Sequence, residues 1–291
     1  GENREVTARV TVRPVSPNRG DVCVEMVTLH AGGDYVSRLP FAVRSLLLGD
    51  LPVNLWWNAP VPPPFAGPLV EDLSEQAQQI IYDSIGWPDP TMGMSAIATW
   101  SDQWENRPRR WRVSSDLNWR RLRIWRRLLT QSLDDASAPG ANVAVQEILV
   151  EHGPHAVLQA WLLVSWLSRH LEWKVEAGKV HPGVEMSWNF QTPTGKARII
   201  VRRNPEGPPE VHRLRVTTTI NGLPACLCVE PSGPNRLCLR LEGLDAAARA
   251  ITMTPHTAIE LIGRQLSDRN RDLAFKESLD VAQVMAQSML Y

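Results

Sequence analysis

Two short apolar runs, each leading into a loop or helical stretch, do most to limit the folds open to this chain. Pro52–Trp57 reads PVNLWW and Gln79–Asp83 reads QIIYD. A strand that is apolar at nearly every residue is buried on both faces, as in a parallel sheet flanked by helices. The surrounding pattern alternates in the same sense. Val6–Val12 and Asp21–Leu29 read as strands joined by a turn at Pro17–Gly20. Pro40–Leu48, Glu71–Gln78 and Thr91–Trp104 read as helices, and the proline-rich Ala59–Pro68 as a loop. Val143–Glu151 is a further strand, after which Pro154 opens an apolar helix, Ala156–Leu171, at its first turn. This order predicts a three-layer α/β domain over residues 1–172. The chain opens GENREVTARV, without a methionine, and enters a strand at once. The domain is therefore expected to lack its first elements.

The pattern changes near Trp173. Val184–Gln191, Lys196–Arg203, His212–Ile220, Leu223–Val229 and Leu237–Leu241 read as antiparallel strands. Asn221-Gly222 is the strongest hairpin signal among their turns. Two amphipathic helices close the chain, near Pro255–Leu266 and Asp272–Met289. Residues 173–291 are thus expected to form an α+β domain, with an antiparallel sheet and helices on one face.

Within the first unit lies RPRRWRVSSDLNWRRLRIWRR, Arg107–Arg127, with nine arginines and a single acidic residue, Asp116. Asp116 is placed to cap a helix running to about Leu133. On that helix Leu122, Trp125, Leu129 and Leu133 form one apolar stripe, and Leu117, Ile124 and Leu128 another on nearly the opposite side. A helix apolar on two sides is packed on two sides, with Arg120, Arg123 and Arg127 in a wedge between the stripes. The arginines either pair with acids such as Glu105 and Asp134 or, with Arg107, Arg109 and Arg110, face a partner. The chain as a whole has 31 basic and 31 acidic residues, and so no bias toward nucleic acid or an anionic membrane.

Catalytic and cofactor signatures are missing: there is no G-x-S-x-G, P-loop or G-x-G-x-x-G, and neither cofactor nor metal is expected. His152 and His155 form H-x-x-H at a strand-to-helix junction and read as core or capping residues. Asp83-Ser84, at the end of a buried strand, marks where an α/β site would lie, either a sugar-phosphate pocket or a helix cap. Four cysteines suit a reducing, cytoplasmic compartment, and the apolar helix is too short to span a bilayer. Cys226 and Cys228 share a strand face, and Cys238 lies on the next strand. A hairpin symmetric about Gly233 would set Cys228 opposite Cys238, as a redox pair or as small apolar core residues.

Three segments in order, Leu51–Trp57 (LPVNLWW), Ile80–Ser84 (IIYDS) and Asp116–Arg126 (DLNWRRLRIWR), resemble the glucose-6-phosphate dehydrogenase assembly protein family, OpcA, of cyanobacterial type. Trp56, Trp57, Asp116, Trp119 and Trp125 carry that motif. The resemblance covers about residues 5–172 well, and the strand-rich half is similar to the family's C-terminal domain. It implies a non-catalytic protein that binds glucose-6-phosphate dehydrogenase and favours its active oligomer. In cyanobacteria it also implies a redox link to the oxidative pentose phosphate pathway, with thioredoxin as a further partner.

Overall fold

In the computed structural model the described residues are 6–14, 23–49, 51–108, 110–136, 143–243, 247–254 and 256–290. The fold is mixed α/β and holds three sheets. Strands β1 (Val6–Pro14) and β2 (Cys23–Ala31) pair only with each other, as an antiparallel ribbon. Register puts Val6, Ala8, Val10 and Val12 on the same face as Val27, Leu29 and Ala31. Val10, Val12 and Val27 are exposed on it. The turn expected at Pro17–Gly20 lies outside the described residues. A 3-10 turn leads into α1 (Leu39–Leu46).

The parallel sheet has three strands in the order β3 (Asn54–Trp57), β4 (Gln79–Tyr82), β5 (Val113–Asp116), with α2 (Pro68–Ser74) and α3 (Pro90–Glu105) as crossovers. β4 is central and every residue in it is buried. β3 is an edge strand, which corrects the expectation of burial on both faces: Trp56 is 43% exposed. β5 was not legible, because its four residues, VSSD, carry one apolar side chain. The helix predicted from Asp116 to Leu133 is two helices, α4 (Leu117–Arg121) and α5 (Arg123–Ala136), joined at Leu122. Of the two expected stripes, Leu117, Leu122, Trp125, Leu128 and Leu129 are at most 4% exposed, Ile124 is half-buried, and the Leu133 side chain lies outside the described set.

The large sheet has eight strands, in the order β13-β12-β11-β10-β6-β9-β8-β7. They are β6 (Val143–His152), β7 (Lys174–His181), β8 (Glu185–Thr192), β9 (Gly195–Arg203), β10 (Val211–Ile220), β11 (Leu223–Pro231), β12 (Arg236–Glu242) and β13 (Arg249–Thr252). β7 and β13, at the two edges and largely exposed, carry too weak an alternation to be read from sequence. β6, grouped by sequence with the preceding α/β elements, is an inner strand here. It runs parallel to β9 and antiparallel to β10, so the sheet is mixed rather than purely antiparallel. The hairpin at Asn221-Gly222 forms as expected, both residues at positive φ (52° and 81°), where glycine is unstrained and asparagine is tolerated.

Helix α6 (Val157–His170) buries eleven of its fourteen residues. It lies between the large sheet and α8 (Leu273–Gln287), and α8 packs in turn against α3. Trp161 meets Trp188 of β8 at 5.0 Å between ring centroids, and the Trp188 indole N–H donates to Met285 O at 3.0 Å. One continuous core therefore runs from Tyr82 and Trp125 to Leu239 and Ala286. The two closing helices separate. α8 stays on the α6 layer, whereas α7 (Ala258–Ser267) leaves the large sheet and sets Leu261 and Ile262 against Ile81 and Leu117.

Two substitutions test this packing. Trp161→Ala empties a fully buried position and should lower unfolding free energy by about 3–5 kcal/mol in urea titration. Gly153→Ala places a Cβ against the Pro208 carbonyl at the exit of β6, where backbone has to move. It should cost about 1–3 kcal/mol in the same assay, and an unchanged midpoint would show that this loop yields freely.

Candidate functional site

The C-terminal ends of β4 and β5 meet the start of α4, and a closed polar network holds them together. The buried carboxylate of Asp116 accepts from the Asn118 N–H at 2.8 Å, as a helix N-cap does, and from the Ser84 N–H at 3.2 Å. The Ser84 hydroxyl donates to the other Asp116 oxygen and accepts from the Asn118 amide at 2.9 Å. Arg121 grips both oxygens of Asp83 at 2.7 Å and donates to Asn118 Oδ1 at 2.9 Å. Asp83 and Ser84, which sequence marks as a possible site, thus serve to lock two strand ends to a helix. Ser84 is 1% exposed and its hydroxyl is engaged in both directions, so it is not presented to a substrate.

The arginines do not form one surface. Arg107 and Arg110 precede β5, whereas Arg120, Arg123 and Arg127 follow it, so the two groups stand at opposite ends of the strand. Arg110 donates to Gln76 O at 3.0 Å, and Arg109 lies outside the described residues. Arg112 is buried over the Trp104 ring and donates to Glu75 O. Arg120 is tied to α7 and the turn after it, through Gln265 at 2.7 Å and Asp268 at 2.9 Å. Arg126 lies over Trp119, whose indole N–H donates to Asp272 at 2.7 Å. Burial lowers the Arg126 guanidinium to about 9, which leaves it charged at neutral pH. Glu105, expected to serve this helix, faces Arg271 and Ser114 instead, and the Asp134 side chain is outside the described set.

Arg123 and Arg127 are exposed and have no acidic partner among the described residues. They border a cleft of about 740 Å³ whose walls also include Arg120, Arg121, Arg264 and His256. Arg264 donates to His256 Nε2 at 2.7 Å. Sequence reasoning missed Arg121, Arg264 and His256. The last two lie more than a hundred residues downstream, on and beside a helix that reads only as amphipathic, and no local signal joins them to the arginine block.

The cysteine expectation is corrected by register. Cys228 stands opposite Arg240 and Cys238 opposite Glu230, two residues away from direct pairing. Diagonal neighbours on a sheet lie roughly 7–8 Å apart, beyond the usual disulfide span. Cys226, Cys228 and Cys238 are free thiols. They share their sheet face with an ionic lattice of Glu151, Arg213, Glu230 and Arg240. Of the motif residues, Trp119 and Trp125 are buried, Trp57 donates to Val61 O at 2.8 Å, and Trp56 is open to solvent. His152 is a buried core residue against Gly153 O, and no group of metal-binding side chains occurs among the described residues. Nor is any described helix long and apolar enough to cross a membrane.

Burial first, and the Asp83 carboxylate second, raise Asp116 to about 7. A carboxyl raised in the native state binds its proton there while the unfolded chain has lost it. Stability therefore falls as pH rises from about 4 to about 7 and levels off above. Asp116→Asn removes that titration. Between pH 8 and pH 5 the wild-type chain should gain about 2–3 kcal/mol of unfolding free energy relative to the variant. Parallel pH profiles for the two proteins would reject the assignment.

Two family profiles match the chain, one after the other. The profile described as the glucose-6-phosphate dehydrogenase subunit N-terminal domain matches residues 1–99, and that of the subunit's C-terminal domain matches residues 112–279. Two proteins named for the OxPP cycle, both OpcA, are similar. The one from Synechocystis sp. is 26% identical over 91% of this chain and 56% of its own length. The one from Nostoc punctiforme is 24% identical over 97% of this chain and 62% of its own length. The chain thus spans somewhat over half the length of these relatives. Among solved structures, a Parabacteroides merdae protein described as an oxidoreductase shares the fold at TM-score 0.51 and 10% identity, covering 90% of this chain and 82% of that one. A super-repressor mutant of Gal80p from Saccharomyces cerevisiae does so at 0.50 and 8%, covering 81% and 77%. At such identities these likenesses describe architecture alone. With both domain profiles matched in order along its length, this chain belongs to OpcA, the glucose-6-phosphate dehydrogenase assembly protein family.

Proposed function

We propose that this protein is a non-catalytic partner of glucose-6-phosphate dehydrogenase that binds the enzyme and favours its active oligomer. The match of both subunit-domain profiles, over residues 1–99 and 112–279, carries the reading. Two features of the molecule support it. The side chains at the strand ends of the parallel sheet, where an α/β enzyme would place its chemistry, are consumed in the Asp83–Arg121–Asn118–Ser84–Asp116 network. The β1–β2 ribbon presents an apolar face on which Val10, Val12 and Val27 are exposed among the described residues, and surfaces of that kind mark protein contacts.

A two-stranded ribbon has little stability of its own. Seating its Val10–Val12–Val27 face on the dehydrogenase would order it and remove apolar surface from water. The half-buried Arg107 and the exposed Arg110, with Arg109 between them in sequence, supply the basic component of the contact. An activator acts only through its preference for one state of its target. About 2.7 kcal/mol of preference shifts the population ratio roughly a hundredfold. A thiol-linked adjustment of this contact, the part of the reading that involves thioredoxin, would act through the half-buried Cys226 rather than through a Cys228–Cys238 bridge.

The test is co-purification with the dehydrogenase, followed by enzyme kinetics and sizing at saturating ratio. The expected result is tighter apparent substrate affinity and a shift to the larger oligomer. Unchanged kinetics and unchanged oligomer size at saturation would reject the proposal. Val10→Lys with Val27→Lys should weaken capture at least tenfold while leaving the melting temperature of the isolated protein within a few degrees, because both side chains are exposed.

A further inference from the structure

The cleft beside α4 and α5 is a second feature, separate from the β1–β2 ribbon and from Arg107 and Arg110. Its charge is unbalanced. Five guanidinium groups line it, from Arg120, Arg121, Arg123, Arg127 and Arg264, and Glu210 is the one carboxylate among the lining residues. Two of the five are neutralised, Arg120 by Asp268 and Arg121 by Asp83. Arg123 and Arg127 have no acid among the described residues. Arg264 donates to His256 Nε2 and lies near enough to Glu260 to add to the Thr257 hydrogen bonds that hold its carboxyl below the usual range. Two cations without an acid among the described residues, with Arg264 beside them, therefore face one concavity in a chain whose formal net charge is zero. Like charges gathered in this way repel one another unless an anion sits among them.

Shape and position narrow the anion. The volume, about 740 Å³, falls within the range of roughly 300–1,000 Å³ typical of small-molecule sites. The walls come from separate parts of the chain: α4–α5, the Pro209–Glu210 loop, Met253, Thr254 and His256, and α7. Ile85, Ile124 and Leu261 add an apolar side. The cleft opens beyond the carboxyl ends of β4 and β5, where α/β sheets place ligands. A nucleic acid would need an extended basic track, which a neutral chain with its cations in one concavity does not offer. Planar guanidinium forks suit the oxygens of a phosphate.

We propose that this cleft binds a small phosphorylated metabolite of sugar-phosphate size, with Arg123 and Arg127 as the principal phosphate contacts and Arg264 as a third. The dehydrogenase partner is not needed for the test, so failure here and failure of the proposed partnership are separable. Isothermal titration of the isolated chain would use glucose 6-phosphate, 6-phosphogluconate, inorganic phosphate and unphosphorylated glucose as probes. The expected result is saturable binding of at least one sugar phosphate, no binding of glucose, and weaker binding of inorganic phosphate. Arg123→Gln with Arg127→Gln should reduce affinity at least tenfold. Arg107→Gln with Arg110→Gln, at the far end of β5, should leave it unchanged. Melting temperatures of both variants should stay near wild type, since all four side chains are at least partly exposed and none belongs to the core. Absence of saturable binding by every phosphorylated probe, equal binding of inorganic phosphate and sugar phosphates, or full binding by the Arg123/Arg127 variant would each overturn the proposal.

Discussion

The fold depends on the burial of α6. Its sequence, VLQAWLLVSWLSRH, is apolar almost all the way round, and a helix of that kind in water needs cover on every side. The large sheet covers one side, and α8 with α3 and α4 the other. This sandwich ties the two sheets into one core, with Trp161 against Trp188 at its centre. Large aromatic surfaces removed from water outweigh the exposed ion pairs on the sheet's open face, which contribute about 0–1 kcal/mol each.

With that core in place, the polar groups are left to set directions. Strand β5 is short and weakly apolar, yet it is fixed at one end by Ser101 and Glu105 contacts to Ser114, and at the other by Asp116. The Asp83–Arg121 pair and the Asp116 cap then aim α4 and α5 so that their arginines leave the core on the cleft side. The burial of Asp116 costs stability at neutral pH, and the gain is a rigid joint between two strand ends and a helix. Rigidity at this joint gives the cleft arginines a defined geometry.

Several elements were legible because a local pattern identifies them. The apolar run QIIYD is a buried strand, Asp116 is an N-cap, Asn221-Gly222 is a hairpin turn, and Leu117, Leu122, Trp125, Leu128 and Leu129 of the Arg/Trp block's stripes are buried. Others had no local mark. β5, β7 and β13 exist because neighbours pair with them, and β6 reads the same whichever sheet it joins. The cysteine register missed by two residues because the turn between β11 and β12 is asymmetric about Gly233, which composition does not reveal.

The amino-acid sequence by itself determined the α/β class, the family and the two-sided burial of the arginine-rich helix. These follow from periodicity and from ordered motifs, both of which are local. The tertiary structure alone decided which arginines find acids among the described residues. Arg120 and Arg121 find acids at Asp268 and Asp83, while Arg123 and Arg127 meet Arg264 and His256 across a cleft. The physical reason is that charge balance is set by distance in space, and here the pairing groups lie up to 148 residues apart along the chain.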